Sequence, residues 1–189
     1  REICLVDEQQ VRALLAEVRL GTCSEEEFIH TLKSLQFEDL GFAKLDHHRH
    51  LRTGFPEVIF APGKTPEQVA TLFARLRERG AVVMATRVND AQVDATRALA
   101  PDCVFHPVAR ILTWHRDGHA FRHEGDPLIG VIAAGTADLP VAEEAAITAE
   151  TMGWRVDRIY DVGVAGLHRL LAHSDRLLRA RALVVVAGM

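Results

Sequence analysis

Apolar residues recur at helical spacing from Asp7 to Leu20, where Val11, Leu14, Leu15 and Val18 share a face and Gly21 stops the run. Ser24 then opens Ser-Glu-Glu-Glu27, a capping-box pattern, and the helix behind it carries Phe28, Leu32 and Leu35 on one side. Residues 1–36 therefore read as a helical arm with no site chemistry, suited to packing or subunit contact.

From Phe37 the texture changes to short strands and helices. Phe42 to Leu45 and Pro56 to Phe60 read as strands, and Pro62-Gly63-Lys64 as a turn. Thr65 caps a helix with Pro66 at its first position, and Val69, Leu72, Phe73 and Leu76 form its stripe up to Gly80. Ala81 to Ala85 closes a strand–helix–strand unit. A helix over Asp90 to Ala100 and a short strand at Cys103 to Phe105 follow. Arg110 to Trp114 and Ala120 to Arg122 flank Asp117-Gly118, a hairpin signal.

Asp126-Pro127 reads as a boundary, so residues 37–125 form a smaller α/β domain and 126–189 the start of another. Leu128 to Ala134, Arg155 to Asp161 and Ala182 to Val186 are strands, separated by helices over Pro140 to about Met152 and about Ala165 to Leu178. This order predicts an α/β protein whose second domain is a parallel, doubly wound sheet, with its strand C-termini on one edge. Leu183-Val-Val-Val-Ala-Gly-Met189 reads as a strand buried on both faces, which needs neighbours. The expectation is a chain cut at this end, as it is at Arg1; an edge strand is the alternative.

Composition narrows the functions. The 189 residues are 48% hydrophobic and 25% charged, with a net charge of −4. That describes a globular protein and offers no basic excess for nucleic acid. No apolar run is long enough to span a membrane. Cys4, Cys23 and Cys103 lie far apart and form neither a disulfide framework nor a zinc motif, so a reducing cytoplasm is expected.

Three stretches carry candidate chemistry. Gly135-Thr136-Ala137-Asp138 follows a strand and opens a helix, an arrangement suited to a phosphate or carboxylate; Asp138 caps the helix or handles a proton. Asp161-Val-Gly163-Val-Ala-Gly166-Leu-His168-Arg169 ends the next strand, with two glycines for the backbone to fold round a ligand, an acid–base histidine and an anion-binding arginine. Asp46, Arg49, Arg52, Glu57 and Lys64 crowd the region of Gly54 and Pro56, where Arg49 and Arg52 can present two forks to one anion. The plainer readings are a helix cap at Asp138, a surface histidine at 168 and a solvated charged loop, in which His47, His48 and His50 are only neighbours. His115, His119 and His123 recur every fourth residue, but Asp117-Gly118 breaks a helix there, so a histidine-bearing hairpin is preferred to a zinc site.

Taken together, these stretches resemble the LarB family, the pyridinium-3,5-biscarboxylic acid mononucleotide synthases of nickel-pincer cofactor biosynthesis. The resemblance is carried by Asp46-His-His-Arg49-His-Leu-Arg52-Thr-Gly54-Phe-Pro56-Glu57, Gly63-Lys64-Thr65, Gly135 to Ala145, Asp161 to Arg169 and Val185 to Met189. The second half is similar to PurE-type aminoimidazole ribonucleotide carboxylases, which have an aspartate loop after the first strand and a His-Arg pair after the second.

The resemblance implies an enzyme that adds CO2, or bicarbonate as its source, to the pyridinium ring of nicotinic acid adenine dinucleotide. It also implies cleavage of the phosphoanhydride to release AMP. Asp138 and His168 would then be catalytic. Gly135, Thr136, Gly163, Gly166, Arg169, Arg49, Arg52 and Lys64 would bind the nucleotide. Asp46 or Glu57 would hold Mg²⁺ or direct a water. The family's nucleophilic cysteine falls beyond the Ala-Gly-Met motif, and Cys103 does not take its place. A homo-octamer is implied. The rival readings are a purine-pathway carboxylase, which the Asp46 to Lys64 block argues against, and a non-catalytic nucleotide-binding module.

Overall fold

The computed structural model describes residues 8–33, 38–46, 49, 55–116 and 127–188. They divide into two compact units, Arg1–Glu57 and Val58–Met189. Both domain boundaries expected from the sequence, at 36/37 and at 125/126, fall on residues outside that set. So do Cys4, Leu35, His47, His48, His50, Arg52, Gly54, His119, His123 and the Asp117-Gly118 hairpin.

In the first unit, α1 (Glu8–Leu20) ends as its sequence predicts. Gly21 sits at φ 72°, the Gly21 N–H reaches the Val18 carbonyl and the Thr22 N–H reaches that of Glu17, the paired bonds of a Schellman ending. The box opening α2 (Glu25–Lys33) is reciprocal: the Ser24 N–H donates to Glu27 Oε2 at 2.9 Å, and the Glu27 N–H to Ser24 Oγ at 3.1 Å. A small hairpin joins β1 (Glu38–Asp39) to β2 (Lys44–Leu45). Its first strand is too short and too acidic to show in the sequence pattern. Gly41, at φ 79°, makes its turn, with the N–H donating to Asp39 Oδ1.

The second unit begins with β3 (Val58–Phe60), α3 (Pro66–Arg79) and β4 (Val82–Thr86), the expected crossover, with the strands parallel. Thr65 and Gln68 exchange both capping-box bonds, and Val69, Leu72, Phe73 and Leu76 are all buried. Asn89 and Gln92 repeat the device at the start of α4 (Asp90–Leu99). The Gln92 amide also donates to the carbonyls of Ala61 and Lys64, tying α4 to the loop after β3. Two antiparallel strands, β5 (Val104–His106) and β6 (Ile111–His115), complete a mixed sheet in the order β3-β4-β6-β5. The central β4 is buried at every position, which explains its unbroken apolar run.

A second sheet holds β7 (Leu128–Ala133), β8 (Arg155–Ile159) and β9 (Ala182–Val186), all parallel, in the order β8-β7-β9. Alternation along β7 sends its side chains to two layers. Val131 and Ala133 pack against Ala142 and Ala146 of α5 (Leu139–Thr151). Ile132, with Ile159 and Val162, packs against Leu170 of α6 (Leu167–Leu171) and Leu177 of α7 (Ser174–Arg179). Small residues on α5 allow close approach to the sheet. The same helix sends Ile147 into a cluster with Met84, Ala109, Ile111 and Met152, so α5 serves both sheets and residues 58–189 form one unit.

One expectation is corrected. The single helix expected over 165–178 is a 3₁₀ turn (Val164–Gly166) followed by α6 and α7. The chain tightens where the His173 N–H bonds the Leu170 carbonyl, and Leu170 and Leu177 both pack on the cluster of Ile132, Ile159 and Val162. Among the described residues β9 stands at the edge of its sheet, with Leu183, Val184 and Val185 exposed.

Candidate functional site

Parallel pairing brings the carboxyl ends of β8, β7 and β9 together, and the backbone just beyond each strand is stitched to its neighbour. The Ala134 N–H donates to the Val186 carbonyl at 2.9 Å, and the Gly163 N–H to the Ala134 carbonyl at 2.9 Å. Gly163 must be small: a Cβ there would lie 2.9 Å from that carbonyl oxygen. Ligands of open α/β sheets bind at this edge, where loops diverge.

Asp138 organises the edge. Its Oδ2 accepts the Gly135 N–H and its Oδ1 the Gly188 N–H, each at 2.9 Å. Gly135 to Asp138 form an extended residue and a 3₁₀ turn leading into α5, so Asp138 closes its own loop and clasps the loop after β9. Thr136 is exposed on the turn.

The second loop is arranged differently from a simple anion cradle. Arg169 folds back over Gly166, where a Cβ would lie 2.5 Å from its Nε, and Arg169 Nη1 donates to Asp161 Oδ2 at 2.5 Å. Asp161 adopts φ 58°, a left-handed conformation that turns the chain sharply out of β8. His168 is exposed in the first turn of α6.

The remaining sequence candidates lie apart in the chain. In the first unit, the Asp46 N–H donates to Glu57 Oε2 at 2.6 Å, and the Arg49 N–H to the Asp46 carbonyl. Arg49 is exposed; Arg52 is outside the described residues. In the second unit, the Lys64 ammonium donates to the Phe60 carbonyl at 2.7 Å, fastening the Gly63 turn (φ 80°).

Sequence reasoning missed a cleft of about 310 Å³, lined in part by Pro107, Val108, Leu139, Ile147, Glu143 and Tyr160. The Tyr160 hydroxyl donates to Glu143 at 2.9 Å, and Arg158 bridges Glu143 and Glu150. Burial, then the Glu143 charge, holds the Tyr160 hydroxyl well above its ordinary range, so it stays a donor. No local motif marks this group, because it draws on the loop after β5, on α5 and on the end of β8.

Neither described cysteine is shifted towards its thiolate. Burial pushes the Cys103 thiol up, and desolvation, then the carboxylates of Glu27 and Glu17, raises that of Cys23. A reactive cysteine needs the opposite shift. Among the described residues no cluster of three or more His, Cys, Asp or Glu side chains forms a ready metal cage, and none of the helices is long and apolar enough to cross a membrane.

Comparison with known proteins adds two findings. Residues 37–116 match the family described as the LarB/PurE-like N-terminal domain. The chain is also 31% identical over 189 residues to an uncharacterized protein of Methanocaldococcus jannaschii, covering 96% of this chain and 73% of that relative.

Proposed function

Because this chain belongs to the LarB family, we propose that it is a carboxylase acting on the pyridinium ring of nicotinic acid adenine dinucleotide, with hydrolysis of the phosphoanhydride to AMP. The supporting observation is the clasp at the carboxyl edge, where Asp138 draws the loops after β7 and β9 together beside Gly163. The complete sheet in this reading is the doubly wound, PurE-like one, assembled as an octamer.

In this reading the 3₁₀ turn at Thr136 receives a phosphate or carboxylate through the Thr136 hydroxyl, and Gly135 and Gly163, whose own N–H groups are already bonded, let the ligand approach closely. Asp138 fixes the shape of that receptor, since both its oxygens are engaged by backbone. His168, solvent-accessible in the next loop, moves the ring proton. Arg169 supplies positive charge once it exchanges Asp161 for substrate, a charge-assisted pairing of the same type. Arg49 and Arg52 in the first unit, and Lys64 in the second, are further cationic groups suited to an anionic dinucleotide.

Asp46 and Glu57 offer carboxylates of the kind Mg²⁺ takes one or two at a time, filling its shell with water and substrate phosphates. Either residue would hold the ion, which would neutralise anhydride charge, or direct a water.

The test is to incubate the full-length protein with nicotinic acid adenine dinucleotide and labelled bicarbonate. The expected result is label in a pyridinium product and release of AMP. Carboxylation of aminoimidazole ribonucleotide instead would favour the purine-type reading. Saturable dinucleotide binding with no turnover would favour a binding module.

A further inference from the structure

The amino ends of the same three parallel strands carry a second, oppositely placed feature. An open cleft of about 700 Å³ lies there, lined by Arg155 at the start of β8, Arg176 and Arg179 on α7, and Arg181 before β9. Among the described residues of its wall, Asp157 is the one carboxylate. That carboxylate is committed to Arg176, whose Nε and Nη2 both donate to it while Nη2 also reaches the Arg158 carbonyl. Arg155 has contacts of its own. Arg179 spends one N–H on the Asp175 carbonyl, and the Arg181 N–H bonds the Leu128 carbonyl, which fixes the backbone that carries its side chain.

We propose that this cleft binds a small oligophosphate, gripped by the guanidinium groups of Arg179 and Arg181 against the wall formed by Arg176 and Asp157. The grounds are chemical and geometric. Four arginines from a strand, a helix and a loop converge on one concavity in a chain whose net charge is −4, so composition does not account for the cluster. With Asp157 satisfied by Arg176, no carboxylate among the described residues of the wall remains to pair with Arg179 or Arg181. Guanidinium forks match phosphate oxygens in pairs. The cleft is much larger than one phosphate needs, and its cations stand on separate elements, which favours an anion with charge spread over two or more phosphates. A long polyanion such as nucleic acid would extend beyond the cluster over a surface that is acidic in sum.

The position has a consequence for the protein. A five-residue strand spans about 16 Å, so this cleft and the clasp at Asp138 occupy opposite ends of the same strands. An anion bound here does not compete with substrate at the carboxyl edge. It ties α7 and the start of β9 to β8, the elements whose other ends build that edge.

The experiment titrates the full-length protein with inorganic triphosphate by calorimetry and follows backbone amide shifts in parallel. One saturable site is expected, with shifts at 127–128, 155–157 and 176–181. The Arg179→Gln/Arg181→Gln double variant should bind at least about tenfold more weakly. Both residues are exposed, so its fold should be intact by circular dichroism. Arg169→Gln, which removes a cation from the other edge, should leave the affinity unchanged. Absence of saturable binding, unchanged affinity in the double variant, or shifts confined to 135–138 would overturn the proposal. So would the same response to sulfate at equal ionic strength, which would mean an adventitious ion only. None of these outcomes depends on what reaction the carboxyl edge performs.

Discussion

Asp138 and Gly188 stand 50 residues apart in the chain, yet the Asp138 Oδ1 accepts the Gly188 N–H at 2.9 Å while its Oδ2 holds the N–H of Gly135. One carboxylate therefore sets the spacing of two strand-end loops. Hydrogen bonds to a charged acceptor contribute about 1.5–3 kcal/mol each. Both bonds are lost in Asp138→Ala, and because one is exposed and the other half-buried, water replaces part of each; the variant is expected to lose about 2 kcal/mol and to exchange faster at the Gly135 and Gly188 amides. Asp138→Asn, which keeps a single good acceptor, should fall between. Unchanged protection at Gly188 in the alanine variant would show that the clasp is not formed in solution.

Gly163 and Gly166 should respond differently to the same substitution. At Gly163 an added methyl meets the Ala134 carbonyl, which is backbone and cannot swing aside. Gly163→Ala should cost about 1–3 kcal/mol by overpacking and weaken dinucleotide binding as the loops part. At Gly166 the obstruction is the guanidinium of Arg169, the far end of a flexible side chain. Gly166→Ala should change stability by less than about 0.5 kcal/mol while releasing Arg169 from Asp161. Denaturant midpoints for the two variants decide it, and equal losses would contradict the contrast.

His168 lies exposed on a short helix, so removing its imidazole leaves packing untouched. His168→Asn should keep stability within about 0.5 kcal/mol and retain dinucleotide binding. Carboxylation should drop by roughly 10²–10⁴, the usual worth of a positioned acid–base group. Near-normal carboxylation by the variant would remove His168 from the mechanism.

Stability should fall in mildly acidic solution for a reason that can be located. Burial holds His106 below its ordinary value of 6.5, partly offset by Glu150 and Glu143, and its Nε2 shares a 3.0 Å hydrogen bond with Thr113. Burial also lowers His115. The unfolded chain binds protons near 6.5 while the folded imidazoles resist, so their stabilisation is full above that pH and is lost as pH drops towards the folded values. Asp157, held below 3.8 by its hydrogen bonds to Arg176, is lost only at lower pH. His106→Gln should flatten the decline in unfolding free energy between about pH 7 and pH 5, leaving the smaller slope due to His115. Parallel curves for the variant and the parent would exclude His106 as the titrating group.

The reading of elements from the sequence succeeded where the signal is local. The Val69–Leu76 stripe behind Thr65-Pro66, the Ser24–Glu27 box and the strand Ala182–Val186 are written in short periods and caps, and these depend only on a residue's nearest neighbours. The same local chemistry marked Gly135 to Asp138 and Gly163 to Arg169 as loops fit for a ligand. It did not show the β1 strand, whose Glu38-Asp39 carries no apolar alternation, or the break at His173, where the chain tightens onto the Leu170 carbonyl. Tertiary structure alone decided that Asp138 clasps Gly188, that Arg169 answers to Asp161, that Tyr160 and Arg158 share Glu143, and that four arginines face one cleft. Each of those relationships joins separate elements through strand order and helix placement. A carboxylate or guanidinium reads the same in sequence whether its partner is water or a residue fifty positions away; only the packed chain brings the partner within hydrogen-bond reach.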